Sequence, residues 1–113
     1  MLSKESKKEV ARKFKELKSS AGIYAVRSKV SGSAWVGFSM NLESAKNSCW
    51  FQLRSRLHRE KSLQREWDSQ GESAFEYEIV DRLEEDVHAF EVYDQLKEKR
   101  TTWAARLNAQ QLL

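Results

Sequence analysis

The sequence contains no proline, only four glycines and a single cysteine among its 113 residues. Without proline, nothing in the chain forces a break in a helix, so the composition favours long uninterrupted helices. The lone Cys49 excludes an intramolecular disulfide framework and most cysteine-based metal sites, and it is best read as a small buried apolar residue. No apolar run approaches the ~18 residues of a membrane span, and the N-terminus lacks the hydrophobic core of a signal peptide. These absences predict a soluble, cytoplasmic protein that does not associate with a membrane.

The residues that are present are sufficient for one folded domain spanning residues 1–113. Hydrophobic residues make up 40% of the chain and aromatic residues 11%, which is typical of a folding sequence and not of a disordered tail. The net charge of +3 hides an asymmetry, because residues 1–71 carry an excess of Lys and Arg whereas residues 72–98 are strongly acidic. This division fits a surface that faces phosphates, and it fits internal ion pairing equally well.

The predicted core, residues 21–110, begins with a β-hairpin and a helix. The stretches "IYAVRS" and "AWVGF" are rich in β-forming residues, and the Ser-Gly turn between them joins two antiparallel strands. Asn41 is a good N-cap for the next helix, in which apolar residues recur at helical spacing from Leu42 to Leu57. Residues 1–20 precede this core as a basic N-terminal helix.

The second half of the core is predicted to form a short helix, a strand and a long helix. Ser62 would cap the short helix, Leu63 and Trp67 would face inward, and Gly71 would end it. The alternation in "SAFEYEIVDRL" is typical of a half-buried antiparallel strand. Residues 85–110 follow as one long helix. Its apolar residues Val87, Phe90, Tyr93, Leu96, Trp103 and Leu107 lie roughly on one side. The expected fold is α+β, a three-stranded antiparallel sheet flanked by helices.

Two short sequence signatures in this chain resemble those of a known protein family. "GIY" at residues 22–24 and "WVG" at residues 35–37, followed by "NLESAKN" at residues 41–47, resemble the start of the GIY-YIG nuclease superfamily. The pattern "H....LQ..W...G...F.YEI", from His58 to Ile79, resembles a subgroup of small stand-alone members. The resemblance implies a GIY-YIG-like fold with an extra N-terminal helix and a long C-terminal helix. It also implies hydrolysis of DNA phosphodiesters with one divalent metal ion, Mg²⁺.

One catalytic position implied by the resemblance is clearly matched, by Tyr24. Trp35 stands in place of the second tyrosine, has no hydroxyl, and is expected to line the former active-site face. The arginine that stabilises phosphate charge, eight residues after the second glycine, falls on Ala45. The metal-holding glutamate of the last helix falls on Arg100, if Trp103 is the bulky apolar residue three positions later.

These replacements predict a nuclease-like domain that has lost phosphodiesterase activity, needs no cofactor, and binds DNA or another nucleic acid. The candidate phosphate contacts are Arg27, Lys29, Arg54, Arg56, His58 and Arg59. The first alternative is a protein-interaction or structural module on the same scaffold, with a protein partner. The second is a DNA endonuclease with a rearranged active site, in which Glu91 or Glu98 holds Mg²⁺ and His58 or a nearby arginine replaces the lost cation.

Overall fold

A computed structural model of the chain describes residues 20–84 and 86–112, which form three α-helices and one four-stranded sheet. The N-terminal helix predicted over residues 1–20 lies outside the described residues, apart from Ser20. The strands are β1 (Gly22–Ser28), β2 (Ala34–Ser39), β3 (Phe75–Arg82) and β4 (Gln110–Gln111). The helices are α1 (Leu42–Arg54), α2 (Lys61–Gln70) and α3 (Val92–Arg106). In this described part of the chain, no helix is long and apolar enough to cross a membrane.

The sheet has the strand order β3-β1-β2-β4, with β1 antiparallel to both β2 and β3 as predicted. The prediction of three strands was one too few. β4 lies parallel to β2, where Trp35 pairs with Gln110 and Val36 pairs with Gln111. Two consecutive polar residues show no strand periodicity, so no local pattern indicated β4. Because β4 is so short, no strand among residues 20–84 and 86–112 pairs with the outer edge of β2 from Gly37 onward.

The sheet separates two apolar clusters. Helices α1 and α2 pack on one face, and α3 packs on the other. The first cluster includes Val26, Trp35, Leu53, Leu63 and Trp67, and the second includes Ile23, Ala25, Val36, Leu96 and Ala104. Burial of these side chains supplies the main driving force for folding. Leu63 and Trp67 face inward as predicted.

Side-chain caps define where α1 and α2 begin. The Asn41 carboxamide oxygen accepts a hydrogen bond from the Ser44 N–H at 3.3 Å, which confirms the predicted cap of α1. Glu60 caps α2 instead of Ser62, because its carboxylate accepts a hydrogen bond from the Ser62 N–H at 3.3 Å. Gly71 ends α2 as expected, at a φ of 89° and with its N–H donating to the Trp67 carbonyl.

The end of α1 has an unusual residue in a left-handed conformation. Arg56 has a φ of 61°, a region that usually holds glycine. The Leu57 N–H donates to the Gln52 carbonyl at 2.8 Å, and the Arg56 N–H donates to the Leu53 carbonyl at 3.1 Å. This pair of bonds is a Schellman motif, which turns the chain away from α1 and toward His58.

The last helix is shorter than the predicted helix over residues 85–110. A 3₁₀ turn precedes α3, so the helix begins at Val92. Asn108, with a φ of 51°, ends it: the Ala109 N–H donates to the Ala104 carbonyl at 2.8 Å in a second Schellman motif. Two of the apolar residues that the sequence places on one side of this helix are exposed, Phe90 at 79% and Tyr93 at 56%.

Candidate nucleic-acid interface

Tyr24 lies on β1 directly opposite Gly37 on β2. A Cβ atom on residue 37 would lie 2.7 Å from the Tyr24 hydroxyl oxygen, so the glycine makes room for the ring. The Tyr24 ring stacks on Tyr77 with 5.3 Å between centroids. Burial raises the pKa of Tyr24 above its ordinary value, and the nearby Cys49 and Tyr77 act in the same direction. Tyr24 therefore remains a neutral phenol at physiological pH.

Tyr24 lines a cleft at the part of β2 that β4 leaves uncovered. The cleft consists of two adjoining cavities, of about 440 Å³ and about 280 Å³. Both are lined by Tyr24, Phe38, Gln52 and His58. The larger, here called the cationic lobe, also has Arg59, Glu60, Arg100 and Leu112 in its wall. The smaller, here called the hydroxyl lobe, has Ser39, Ser44, Ala45, Ser48 and Cys49 in its wall.

Arg100 reaches the cleft from α3, on the other side of the sheet. Its Nε donates to the Gln111 side-chain oxygen at 3.1 Å, and its Nη1 donates to the Leu112 carbonyl at 3.0 Å. Its guanidinium carbon lies 4.9 Å from the centroid of the Phe38 ring, a cation–π contact. These three contacts hold a permanent positive charge in the wall of the cationic lobe.

His58 enters the cleft as a neutral donor and not as a cation. Its Nδ1 accepts a hydrogen bond from the Glu60 N–H at 3.0 Å, so the proton of the neutral imidazole is on Nε2. Burial lowers the pKa of His58, although Glu60 acts in the opposite direction. The expectation that His58 could replace the lost cation is therefore not supported by its surroundings. Its Nε2–H is suited to donate a hydrogen bond to an oxygen atom.

Trp35 is fully buried and does not line the cleft, contrary to the expectation from its place in the signature. Its indole Nε1 donates to the Ser62 hydroxyl at 2.9 Å. That hydroxyl in turn donates to the Glu60 carboxylate at 2.9 Å. The physical reason is size, because an indole on this strand fills the space between the sheet and α2. Trp35 thus holds α2 against the sheet.

The structure brings together only some of the residues that the sequence singled out. Tyr24, Ala45, His58 and Arg59 line the cleft. The other candidate phosphate contacts, Arg27, Lys29, Arg54 and Arg56, do not line it, and Arg54 pairs with Glu72 at 2.6 Å. Phe38 and Gln52 were missed, because neither carries a charge or belongs to a signature. Arg100 was singled out by its spacing from Trp103, but only as the residue at the position where the resemblance implies a metal-holding glutamate. Its presence in the cleft was not predicted.

Known structures share this fold. The catalytic domain of homing endonuclease I-TevI is similar with a TM-score of 0.69 and 22% sequence identity, over 82% of this chain and 98% of that one. This chain has a GIY-YIG-like fold. A glutamate-to-alanine mutant of the catalytic domain of intron endonuclease I-TevI is also similar, with a TM-score of 0.66 and 23% identity over 78% of this chain and 84% of that one. No protein-family model and no curated protein matches the sequence. The fold predicted from the two signatures is confirmed.

The cleft of this GIY-YIG fold does not suit the Mg²⁺ ion that the resemblance implies. Mg²⁺ prefers oxygen ligands in an octahedral arrangement, usually including carboxylates. Among residues 20–84 and 86–112, no group of three or more His, Cys, Asp and Glu side chains could hold a metal ion. Glu60 is the one carboxylate in the cleft wall described here, and its Oε1 accepts hydrogen bonds from Ser62. Arg100 adds a positive charge that opposes cation binding.

The two carboxylates considered as metal ligands lie elsewhere. Glu91 belongs to the exposed 3₁₀ turn before α3. Glu98 lines a separate groove of about 430 Å³, together with Asp81 and Lys99. Because Glu98 and Arg100 are two residues apart on one helix, they project from different faces. Arg100, and not Glu98, faces Tyr24.

Proposed function

We propose that this domain binds nucleic acid in the Tyr24 cleft and does not hydrolyse it. The observation that carries the proposal is the position of Arg100. Its guanidinium lies in the cationic lobe, at the position where the resemblance places a metal-holding glutamate. The replacement of a carboxylate by a guanidinium reverses the charge of the cleft wall. A positively charged wall attracts a phosphate directly, without a metal ion between the two.

The donors in the cationic lobe suit a phosphate group. Arg59 is exposed, and it makes no hydrogen bond or ion pair with the described residues, so its guanidinium is available. Arg100 is held in place by Phe38 and by the residues of β4, which reduces the entropy lost on binding. The Nε2–H of His58 adds a neutral donor. Two cations and one neutral donor match the several acceptor oxygens of a phosphodiester.

The same cleft is poor in groups that could carry hydrolysis. The raised pKa of Tyr24 keeps its hydroxyl protonated, so it is a weak base. Burial raises the pKa of Cys49 to about 12, so this side chain stays a thiol and not a thiolate. Ala45 provides no charge at the position of the expected arginine. The loss of one such charge-stabilising donor typically lowers a catalytic rate by ~10²–10³.

The proposal is tested by measuring binding and cleavage on the same samples. We expect fluorescence anisotropy at low salt to detect binding of single-stranded, duplex or branched DNA. Arg59→Gln and Arg100→Gln should each weaken it. Arg54→Gln is the matched control, because Arg54 is paired with Glu72 and lies outside the cleft. Plasmid incubated with Mg²⁺ or Mn²⁺ should stay intact.

Two results would contradict the proposal. The absence of binding to all three DNA forms at low salt would leave the protein-interaction module as the better explanation, to be pursued by partner capture after nuclease treatment. Cleavage that disappears in Tyr24→Phe would instead establish the rearranged endonuclease. The cytoplasmic location remains a prediction from the sequence.

A further inference from the structure

The two lobes of the cleft differ in chemistry although they share four wall residues. The cationic lobe has two guanidinium groups in its wall, from Arg59 and Arg100. The hydroxyl lobe has neither, and its additional polar residues are the uncharged Ser39, Ser44 and Ser48. A single polymer that fills both lobes must therefore present an anionic group and an uncharged polar group close together.

From this division we propose that the cleft binds an unpaired nucleotide, with the phosphate in the cationic lobe and the base in the hydroxyl lobe. The inference rests on the proposed nucleic-acid binding and adds to it the form of nucleic acid that is bound. A base inside a duplex is stacked and paired, so it cannot enter a pocket of this kind unless it is first extruded. Single strands, bulges and frayed ends present such a base at little cost.

The wall of the hydroxyl lobe has both features that base recognition requires. Tyr24 and Phe38 supply aromatic surface, on which bases of any sequence can stack. Gln52 supplies an amide that can donate and accept at once, as the edge of a base requires. Among the described residues, this amide has no hydrogen-bond partner, and Gln52 lines both lobes. The volume of the hydroxyl lobe, about 280 Å³, is adequate for a planar heterocycle.

An exposed aromatic side chain at the border of the cleft supports the same form of ligand. Tyr93 on α3 packs against Phe38 in a T-shaped arrangement, with 5.9 Å between ring centroids and 82° between ring planes. It is 56% exposed. A second unpaired base, next to the one in the hydroxyl lobe, could stack on the free face of Tyr93. A base within a duplex has both faces covered already.

The decisive experiment compares two single strands that carry the same phosphates. One is a short oligodeoxynucleotide, and the other is a strand of equal length built only of abasic sites. We expect the strand with bases to bind at least about fivefold more tightly, the lower bound of one base–aromatic stack. Gln52→Leu should reduce this ratio, and Tyr93→Leu should reduce it separately. Tyr93→Leu, which lies outside both lobes, should leave the affinity for the abasic strand unchanged.

Each variant has a matched control. Gln95→Leu makes the same chemical change in the separate groove beside Asp81, and it should leave the ratio unchanged. Phe90→Leu removes an exposed aromatic residue that stacks on His88 and not on Phe38. A fully paired duplex of the same phosphate count should bind more weakly than the single strand.

The possible results separate this inference from the proposal on which it rests. Equal, salt-dependent affinity for the abasic strand and the strand with bases would overturn the unpaired-nucleotide site and leave phosphate binding intact. Tighter binding of the duplex would overturn it as well. If neither strand binds at low salt but the duplex does, only the unpaired-nucleotide site is wrong; if no form of DNA binds, both proposals are wrong.

Discussion

Gly37 and Tyr24 face each other across β1 and β2, and a Cβ atom on residue 37 would lie 2.7 Å from the Tyr24 hydroxyl oxygen and 2.8 Å from the ring carbon that carries it. The glycine of the second signature thus leaves the space that the tyrosine of the first signature fills. The two signatures are therefore parts of one contact. That contact does not depend on a tyrosine at position 35, where this chain has Trp35.

Substitution of Gly37 should displace the Tyr24 ring. We expect Gly37→Ala to lower the free energy of unfolding by about 1–3 kcal/mol, the usual cost of an added group in a packed interior. Urea denaturation would measure this change. The cost should shrink in a Tyr24→Leu background, because the shorter side chain no longer reaches residue 37. An equal cost in both backgrounds would show that the clash lies elsewhere.

Removal of the Ser62 hydroxyl should leave the buried indole N–H of Trp35 without its acceptor. We expect Ser62→Ala to lower the free energy of unfolding by about 1–3 kcal/mol, as is typical of an unsatisfied buried donor. The control is Ser69→Ala, an exposed change on the same helix, which should cost less than about 0.5 kcal/mol. The Ser62 change should cost less in a Trp35→Phe background, because phenylalanine has no donor. Equal costs for the two serine changes would refute this role for Trp35.

The pH dependence of stability should contain a contribution from His58. Because burial lowers its pKa in the folded state, the unfolded chain takes up a proton first as the pH falls through about 6.5. The stabilisation is complete above this value and is lost toward the lower, folded-state pKa. We therefore expect denaturation midpoints to fall between pH 7 and pH 5 more steeply in the unaltered protein than in His58→Gln. The change His88→Gln, at an exposed position, should preserve the steep fall.

The salt dependence of nucleic-acid binding should report the contact made by Arg59. Each cation that neutralises a phosphate releases counterions, and its removal lowers the slope of log affinity against log salt by about 1. We expect this reduction for Arg59→Gln in an anisotropy titration across salt concentrations. Arg65→Gln changes the same net charge outside the cleft, so it should alter the slope little. Equal slopes for the two variants would place the phosphate elsewhere.

The left-handed conformation of Arg56 should cost stability. A non-glycine residue in this conformation destabilises the folded protein by ~1–2 kcal/mol. A change to glycine recovers only part of this, because glycine loses more conformational freedom on folding. We expect Arg56→Gly to raise the free energy of unfolding by about 0.5–1 kcal/mol, measured by urea denaturation. Asn108→Gly, at the other left-handed position, should raise the free energy of unfolding by less, because asparagine tolerates this conformation well. A loss of stability in Arg56→Gly would mean that the arginine makes compensating contacts.

The elements that were predicted correctly are those with strong local signals. The Ser-Gly turn, the Asn41 cap and the alternation that begins at Phe75 each depend on residues close in sequence. The predicted alternation of inward and outward side chains stops before the end of β3. The pairing register shifts between Ile23 and Tyr24 and leaves Val80 as an extra residue. This bulge turns Asp81 toward α3, where it accepts hydrogen bonds from Lys99 and Trp103. No local pattern predicts such a shift.

The arrangement of the candidate site could not be predicted from local patterns either, because it depends on contacts between residues far apart in the sequence. Trp35 could be assigned to the second signature, but its burial depends on α2, whose residues come much later in the chain. The position of Arg100 could be counted back from Trp103. Its entry into the cleft depends on Phe38 and on β4, which bring together three separate parts of the chain.

The sequence by itself predicted an α+β fold with an antiparallel sheet, because the turn, the helix cap and the apolar periodicity act over short distances, and its two signatures predicted the GIY-YIG fold by resemblance. It also predicted Ala45 and Trp35 at the positions where the resemblance implies an arginine and a tyrosine. Only the tertiary structure decided which basic residues share a cleft and which charge lies beside Tyr24. Convergence of side chains from β2, α1 and α3 depends on how whole elements pack, and the free energy of that packing is spread over many contacts that no single stretch encodes.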